Sequence, residues 1–201
     1  MKKITYAITA CNEYEELRQL LTLLLKYTTD ILVQVDSEKV TDRVLEVCNT
    51  MSVDVHFFPL KNDFATFKNN LFGLTNSEYI FQLDADELPN DWLLENMAEI
   101  LDLNGEAELI YVPRINTVEG LTRDYIEKWK WRINEKGWVN FPDYQGRIYK
   151  NDYNKVHWSG VVHERIVCDV FAALPPEEIW CIYHHKALDR QIRQNAYYDT
   201  L

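Results

Sequence analysis

Glu78-Tyr79-Ile80-Phe81-Gln82-Leu83-Asp84-Ala85-Asp86-Glu87-Leu88-Pro89 begins as an apolar run and ends in acid. Tyr79 to Leu83 carries the aromatic and branched residues that suit a buried strand. Side chains alternate along a strand, so the spacing predicts Asp84 and Asp86 on one side and Ala85 on the other. Two carboxylates held that close repel each other, and a cation between them relieves the repulsion. Oxygen-only donors favour a hard divalent ion, Mg²⁺ or Mn²⁺. Pro89 and Asn90 stop the strand, and Asp91 is positioned to cap an apolar-periodic helix predicted over Trp92–Leu103. Open α/β sheets bind ligands where their strands end, so the acids fall where a site is expected. Two plainer readings stand beside this one. The stretch also fits a solvated acidic turn behind a core strand. It fits an EF-hand loop less well, because Leu88 and Pro89 occupy positions that need a ligand and a glycine.

Upstream, Ile4–Thr9, Ile31–Val35 and Val53–Phe58 read as strands. Between them lie a helix opened by Asn12-Glu13, with leucines at 17, 20, 21, 24 and 25 on one stripe, and a second helix over Thr41–Thr50. Asp63 caps a further helical stretch, Phe64–Leu74. Strand–helix alternation repeated up to the acidic strand argues an α/β fold, a mostly parallel Rossmann-like sheet flanked by helices. Asn104-Gly105 ends the next helix. From about Ala107 to Val167 the texture becomes strand-like and aromatic, which predicts mixed strands. Most of its rings, including Trp129, Trp131, Trp138 and Tyr144, read as core, with stacking on a sugar or base as the alternative. Ile179–Tyr183 reads as a short strand and Lys186–Tyr198 as a terminal helix. One domain, 1–201, is expected, with its halves meeting near residue 105. No G-x-G-x-x-G or G-x-x-x-x-G-K loop occurs, so any phosphate must be held by a metal and side chains.

The chain of 201 residues is 47% hydrophobic and 13% aromatic, enough for a sizeable core. Its net charge of −11 argues against sequence-independent binding to a polyanion. Cys11, Cys48, Cys168 and Cys181 lack metal-type spacing and are expected as reduced thiols; Cys181 with His184 and His185 is a weak zinc alternative. No apolar run is long enough to span a bilayer, and Met1-Lys2-Lys3 enters a strand directly, so a cytoplasmic location is expected.

Six motifs in order carry a resemblance. They are Ile8-Thr9-Ala10-Cys11-Asn12-Glu13; Val35-Asp36-Ser37 with Thr41-Asp42; Asn62-Asp63-Phe64-Ala65 with Lys68-Asn69; Leu83-Asp84-Ala85-Asp86-Glu87; Pro142-Asp143-Tyr144-Gln145-Gly146-Arg147-Ile148-Tyr149; and Val162-His163-Glu164. Together they resemble the family 2 glycosyltransferases of GT-A fold, nearest to the subgroup of lipopolysaccharide-core β-glucosyltransferases. That subgroup usually has Arg where this chain has Lys68.

The resemblance implies a metal-dependent, inverting transfer from a nucleotide-diphosphate sugar, a UDP-sugar, to an acceptor hydroxyl. Residues 1–105 would hold the nucleotide-sugar and 106–201 the acceptor. Thr9, Glu13, Asp36, Asp63, Lys68, Asp84 and Arg147 are the implied nucleotide-sugar contacts. Gln145 and Arg147 alternate along their strand and are expected to share a face, with Arg147 as a bidentate phosphate clamp. Asp84, Asp86 and His163 are the implied ligands of Mn²⁺ or Mg²⁺, with Asp86 the main one. Asp143 is the candidate general base, its pKa expected to be raised in a partly dry aromatic loop. Each has a structural alternative: a first-turn acid for Glu13 or Asp36, a helix cap for Asp63, a solvated lysine for Lys68, a core histidine for His163, a turn residue for Asp143 and a structural ion pair for Arg147. The implied acceptor is a surface glycan or glycolipid, or, as in some phage enzymes, a hydroxymethylated base in DNA. For DNA, the Trp-interleaved basic residues Lys128, Lys130, Arg132 and Lys136 would meet phosphates. A nucleotidyltransferase and a non-catalytic sugar-binding module are the rival functions.

Overall fold

The computed structural model describes residues 2–160 and 164–198, without the side chains of Gln194, Tyr197 and Tyr198. In chain order the elements are β1 (Ile4–Ala10), α1 (Tyr14–Leu24), β2 (Ile31–Asp36), α2 (Asp42–Thr50), β3 (Asp54–Phe58), α3 (Phe64–Asn69), β4 (Tyr79–Asp84) and β5 (Glu87–Pro89). They continue as α4 (Asp91–Glu95), α5 (Met97–Leu103), β6 (Leu109–Glu119), α6 (Arg123–Trp129), β7 (Val139–Lys150), β8 (His157–Ser159), β9 (Arg165–Val167) and β10 (Phe171–Ala173). A 3-10 turn, Glu178–Trp180, leads into β11 (Ile182–Ala187) and α7 (Leu188–Tyr198).

The main sheet runs β3-β2-β1-β4-β7-β6-β11-β5, and β10 pairs with β6. The first four strands are mutually parallel, and β7 joins β4 and β6 antiparallel. Alternate residues of the parallel strands divide between two cores. Tyr6, Ile8, Val33, Val35, Phe81 and Leu83 pack with Leu17, Leu20, Leu21 and Leu24 of α1. Ala7, Leu32 and Ile80 pack on the other face with Ala65, Leu71 and Trp158. Both faces are therefore covered, which is why β2 is buried along its whole length. Burying each α1 leucine stabilises this arrangement by about 1.5–3 kcal/mol.

Several local expectations change. Asn90, not Asp91, caps α4, accepting from the Trp92 amide at 2.9 Å. The helix expected over Trp92–Leu103 breaks at Asn96 into α4 and α5. The helix expected to reach Leu74 stops at Asn69. The strand expected to end at Tyr183 continues to Ala187 as β11, and Arg123–Trp129 is helical within the strand-like half. Trp158 lies in a core cluster, whereas Trp129, Trp131 and Trp138 belong to neither cluster among the described residues. All four cysteines are free thiols. Among the described residues no helix is long and apolar enough to cross a membrane.

Candidate active site

The ends of β1, β2 and β4 open onto one cleft of about 780 Å³. Thr9, Glu13, Asp36, Lys68, Asp84 and Asp86 all line it, so these candidates converge. Its basic lining (Lys39, Lys68, Arg114, Lys186, Arg190, Arg193) outnumbers its acidic lining (Glu13, Asp36, Asp84, Asp86, Glu164) by one. In a chain of net charge −11, that makes the cleft locally hospitable to an anion.

Asp84 ends β4 opposite Thr9 of β1. Its Oδ1 accepts from Thr9 Oγ1 at 2.9 Å and Gln82 Nε2 at 3.1 Å, and its Oδ2 accepts from Arg147 at 2.7 Å. Burial pushes the Asp84 pKa up, but the charges of Arg147 and Lys68 and the Thr9 hydrogen bond hold it well below the usual carboxylate range. Asp86 is not on the strand. Ala85 and Asp86 form a turn into β5, so strand alternation does not govern their direction. His184 Nε2 lies 3.4 Å from Asp86 Oδ2, Arg190 3.4 Å and Lys186 3.8 Å. Burial raises the Asp86 pKa, yet His184 and Lys186 outweigh it and bring it to about 2.

Topology explains why His184 is there. β11 is threaded between β6 and β5, with His184 opposite Asn116 on one side and Glu87 on the other. Its Nδ1 is 2.7 Å from Asn116 Oδ1, which fixes the ring. Among the described residues no group of three or more acids, histidines or cysteines is arranged to hold a metal ion. His163 lies outside the described residues. Asp86 and His184 nevertheless bring a carboxylate and an imidazole together at the cleft, with Asp84 two residues away. That mixed donor chemistry fits a divalent ion such as Mn²⁺.

Beneath the cleft lies a buried ionic chain. Glu87 is fully buried. Its Oε1 accepts from Arg147 at 2.6 Å and Arg114 at 2.9 Å, and its Oε2 from the Asp84 amide at 3.1 Å. Arg114 then donates to Asp143 at 2.7 and 2.9 Å. The ladder between β6 and β7 slips at Ile110/Tyr111, opposite Arg147. This bulge breaks the alternation expected to put Gln145 and Arg147 on one face. Arg147, 2% exposed, is committed to Gln82, Asp84 and Glu87, so the expected phosphate clamp is a structural ion pair.

Asp143 also differs from expectation. It lies within β7, is absent from the cleft lining, and accepts from Arg114, Asn116 and Gln145. Burial pushes its carboxyl up, but Arg114 and the Asn116 hydrogen bond bring it below its ordinary value, not above it. Asp63 caps α3, accepting from the Thr66 amide at 3.0 Å and hydroxyl at 2.7 Å, and does not line the cleft. Glu13 bends back to accept from the Cys11 and Asn12 amides at 2.8 and 2.9 Å. Lys68 is buried rather than solvated, 2.6 Å from Glu164 and stacked over Trp158.

Asp36 stands apart. Its Oδ1 accepts from the Glu38 and Leu60 amides at 3.1 Å. Its Oδ2 is buried with no hydrogen-bond partner among the described residues, an arrangement that leaves a place for a donor. Sequence reasoning missed Arg114, Lys186 and Arg190, named His184 only as a zinc alternative with Cys181 and His185, and gave Glu164 and Glu87 no role. Extending the period of two past Tyr183 would have found His184 and Lys186, which share the buried face of β11 with Ile182. Arg190, reaching Glu13, Glu16 and Asp86 from α7, left no local signal.

Residues 5–162 match the family described as Glycosyl transferase family 2. No curated protein sequence matches the chain. S. aureus TarS 1-349 in complex with UDP-GlcNAc superposes with a TM-score of 0.60 at 13% identity, over 92% of this chain and 59% of that one. The chain thus spans under two thirds of TarS 1-349. Glucosyl-3-phosphoglycerate synthase from Mycobacterium tuberculosis, in complex with Mn²⁺, UDP and phosphoglyceric acid, gives 0.59 at 10% identity, over 96% and 74%. At such identities these likenesses show the fold, the GT-A arrangement of a mostly parallel sheet flanked by helices.

Proposed function

The chain belongs to glycosyl transferase family 2, and from that premise we propose that it transfers a sugar from a UDP-sugar to a glycan hydroxyl, with inversion and with the help of Mn²⁺ or Mg²⁺. The observation that carries this reading is the buried Oδ2 of Asp36, without a hydrogen-bond partner among the described residues, in the same cleft as Lys68 and Asp86. A uracil N–H or a ribose hydroxyl satisfies that oxygen, and the cations satisfy a diphosphate. Neighbours of the same fold carry UDP-GlcNAc or UDP with Mn²⁺, which supports a uridine donor.

Asp86 and His184 would hold the ion, with Asp84 beside them. When bound, the ion supplies Lewis-acid neutralisation of the diphosphate leaving group. Thr9, Gln82 and Arg147 keep Asp84 ionised and oriented. Lys68 lies against Glu164 and is near enough to the cleft to turn towards a diphosphate. We assign the role of proton acceptor to Glu164 in place of Asp143. Glu164 lines the cleft, whereas Asp143 is engaged by three donors behind it. As Lys68 shifts to the donor phosphate, Glu164 is freed to take the acceptor hydroxyl proton while the new bond forms.

The test is donor consumption across a panel of nucleotide sugars, with and without Mn²⁺. Wild type consumes a UDP-sugar in a Mn²⁺-dependent way, Asp86→Asn loses the metal dependence and activity together, and Asp36→Asn weakens UDP binding about tenfold or more. Wild type that consumes no donor under any of these conditions refutes the reading.

A further inference from the structure

Among the described residues, Trp129, Trp131 and Trp138 contribute to neither core cluster, so the two cores do not explain them. Trp131 is half-buried and lines the cleft. Its ring lies 4.6 Å from that of Trp129, which lies 4.8 Å from Tyr125. The three rings, tilted by 35° and 44° to their neighbours, form one contiguous cluster that begins at the cleft wall.

The backbone under this cluster is held from both sides. The Trp131 amide donates to the Ile126 carbonyl at 3.0 Å. The Arg132 amide donates to Asn140 Oδ1 at 2.9 Å, and the Asn140 amide returns a bond to the Arg132 carbonyl at 2.8 Å. Lys130 and Asn140 adopt φ of 55° and 53° to allow this. Non-glycine residues keep that conformation only where their surroundings over-determine it. An indole that serves neither core cluster is thus pre-positioned at the edge of the reaction cleft.

The charge around it is also distinctive. Residues 123–136 hold Arg123, Lys128, Lys130, Arg132 and Lys136 against Asp124, Glu127 and Glu135, in a chain of net charge −11. Lys136 is engaged by Glu178 at 2.9 Å and the Trp138 ring. Lys128, Lys130 and Arg132 are exposed. A pyranose presents an apolar C–H face to an indole and keeps its hydroxyls at the edge. A phosphate or carboxylate on that sugar meets the exposed cations.

We infer that Trp131, buttressed by Trp129 and Tyr125, is the platform on which a ring of an anionic saccharide acceptor stacks, with Lys130 and Arg132 selecting its negative charge. This rests on the transferase reading above. A DNA acceptor is less favoured, because duplex binding needs a broader cationic surface than one short stretch.

The experiment is direct binding, followed by calorimetry, of trigalacturonate, chitotriose and an oligonucleotide containing 5-hydroxymethylcytosine. UDP binding is measured on the same protein. Wild type is expected to bind trigalacturonate more tightly than chitotriose. Trp131→Ala weakens trigalacturonate binding about tenfold or more, the loss typical of a buried aromatic anchor, and Trp131→Phe retains part of it. The double variant Lys130→Gln/Arg132→Gln abolishes the preference for the acidic sugar and leaves chitotriose binding in place. Equal binding by Trp131→Ala and wild type overturns the inference. So does a stronger affinity for the oligonucleotide, or no saccharide binding by a wild type that binds UDP. Saccharide binding that depends on Trp131, in a protein indifferent to UDP, upholds the platform and refutes the transferase reading instead.

Discussion

Replacing Glu87 by glutamine tests the buried ionic chain that supports the site. Glu87 has no solvent exposure, and its two arginine partners have side-chain exposures of 2% for Arg147 and 19% for Arg114. Glutamine keeps the size and one acceptor oxygen. It removes the charge and turns an N–H₂ towards a guanidinium or the Asp84 amide, both of which are donors. Breaking a buried pair from one side costs about 3–5 kcal/mol. The retained oxygen, and the other acids on both arginines, put Glu87→Gln at the lower end, about 3 kcal/mol. For a chain of this size that lowers Tm by roughly 6–12 °C. Urea and thermal unfolding at neutral pH measure it. The control is Glu178→Gln, which breaks the Lys136–Glu178 pair, whose side chains are 60% and 45% exposed. That loss is about 0.5 kcal/mol or less, because solvent already screens the pair. If Glu87→Gln cost no more than this control, the ionic chain would not be holding the floor of the site. The variant should also bind UDP-sugar more weakly, since Glu87 fixes both the Asp84 amide and the arginine on its carboxylate.

Three further outcomes follow from the geometry. The Asp143 carboxyl is depressed in the fold, so its stabilisation is complete above the unfolded value of about 3.9 and is lost as pH falls through the folded value. The stability gap between wild type and Asp143→Asn should be flat from neutral pH down to about 5 and shrink below about 4; a gap that widens in acid contradicts the ion pair. Asp63→Ala removes the α3 cap and should cost about 1 kcal/mol in urea unfolding with UDP affinity unchanged. A large loss of UDP affinity would instead put Asp63 in the donor site. Glu164→Gln should lower kcat at least about 100-fold while leaving UDP binding in place, whereas Asp143→Asn should act mainly on stability. The reverse pattern would restore Asp143 as the base.

The parallel half was legible because its signals are local. Alternating apolar runs and leucine stripes report which face of each element is buried, and burial on two sides leaves only a sheet with helices on both faces. The acidic end of β4 followed from the same logic, since a strand that enters the core must leave it, and polar residues collect at the exit. Asp84 and Asp86 follow from that logic, whereas Asp36 and Lys68 come from the family resemblance; all four share one cleft. The errors came from extending local rules too far. Alternation was carried past Asp84 into a turn. It was carried through a bulge at Arg147, and it was stopped too early at Tyr183.

What the amino-acid order decides alone is the alternation of elements and the positions where acids terminate strands, because both depend on neighbours within a few residues. Which charge meets which depends on strand order. β11 enters between β6 and β5 and brings His184 and Lys186 to Asp86. β7 enters between β4 and β6 and joins Arg147 to Asp84 and Glu87. Those partners are tens of residues apart in the chain, and no periodicity encodes their meeting. Folding puts them in contact, and burial makes each pairing obligatory, since an unpaired charge there would cost more than the fold can spare.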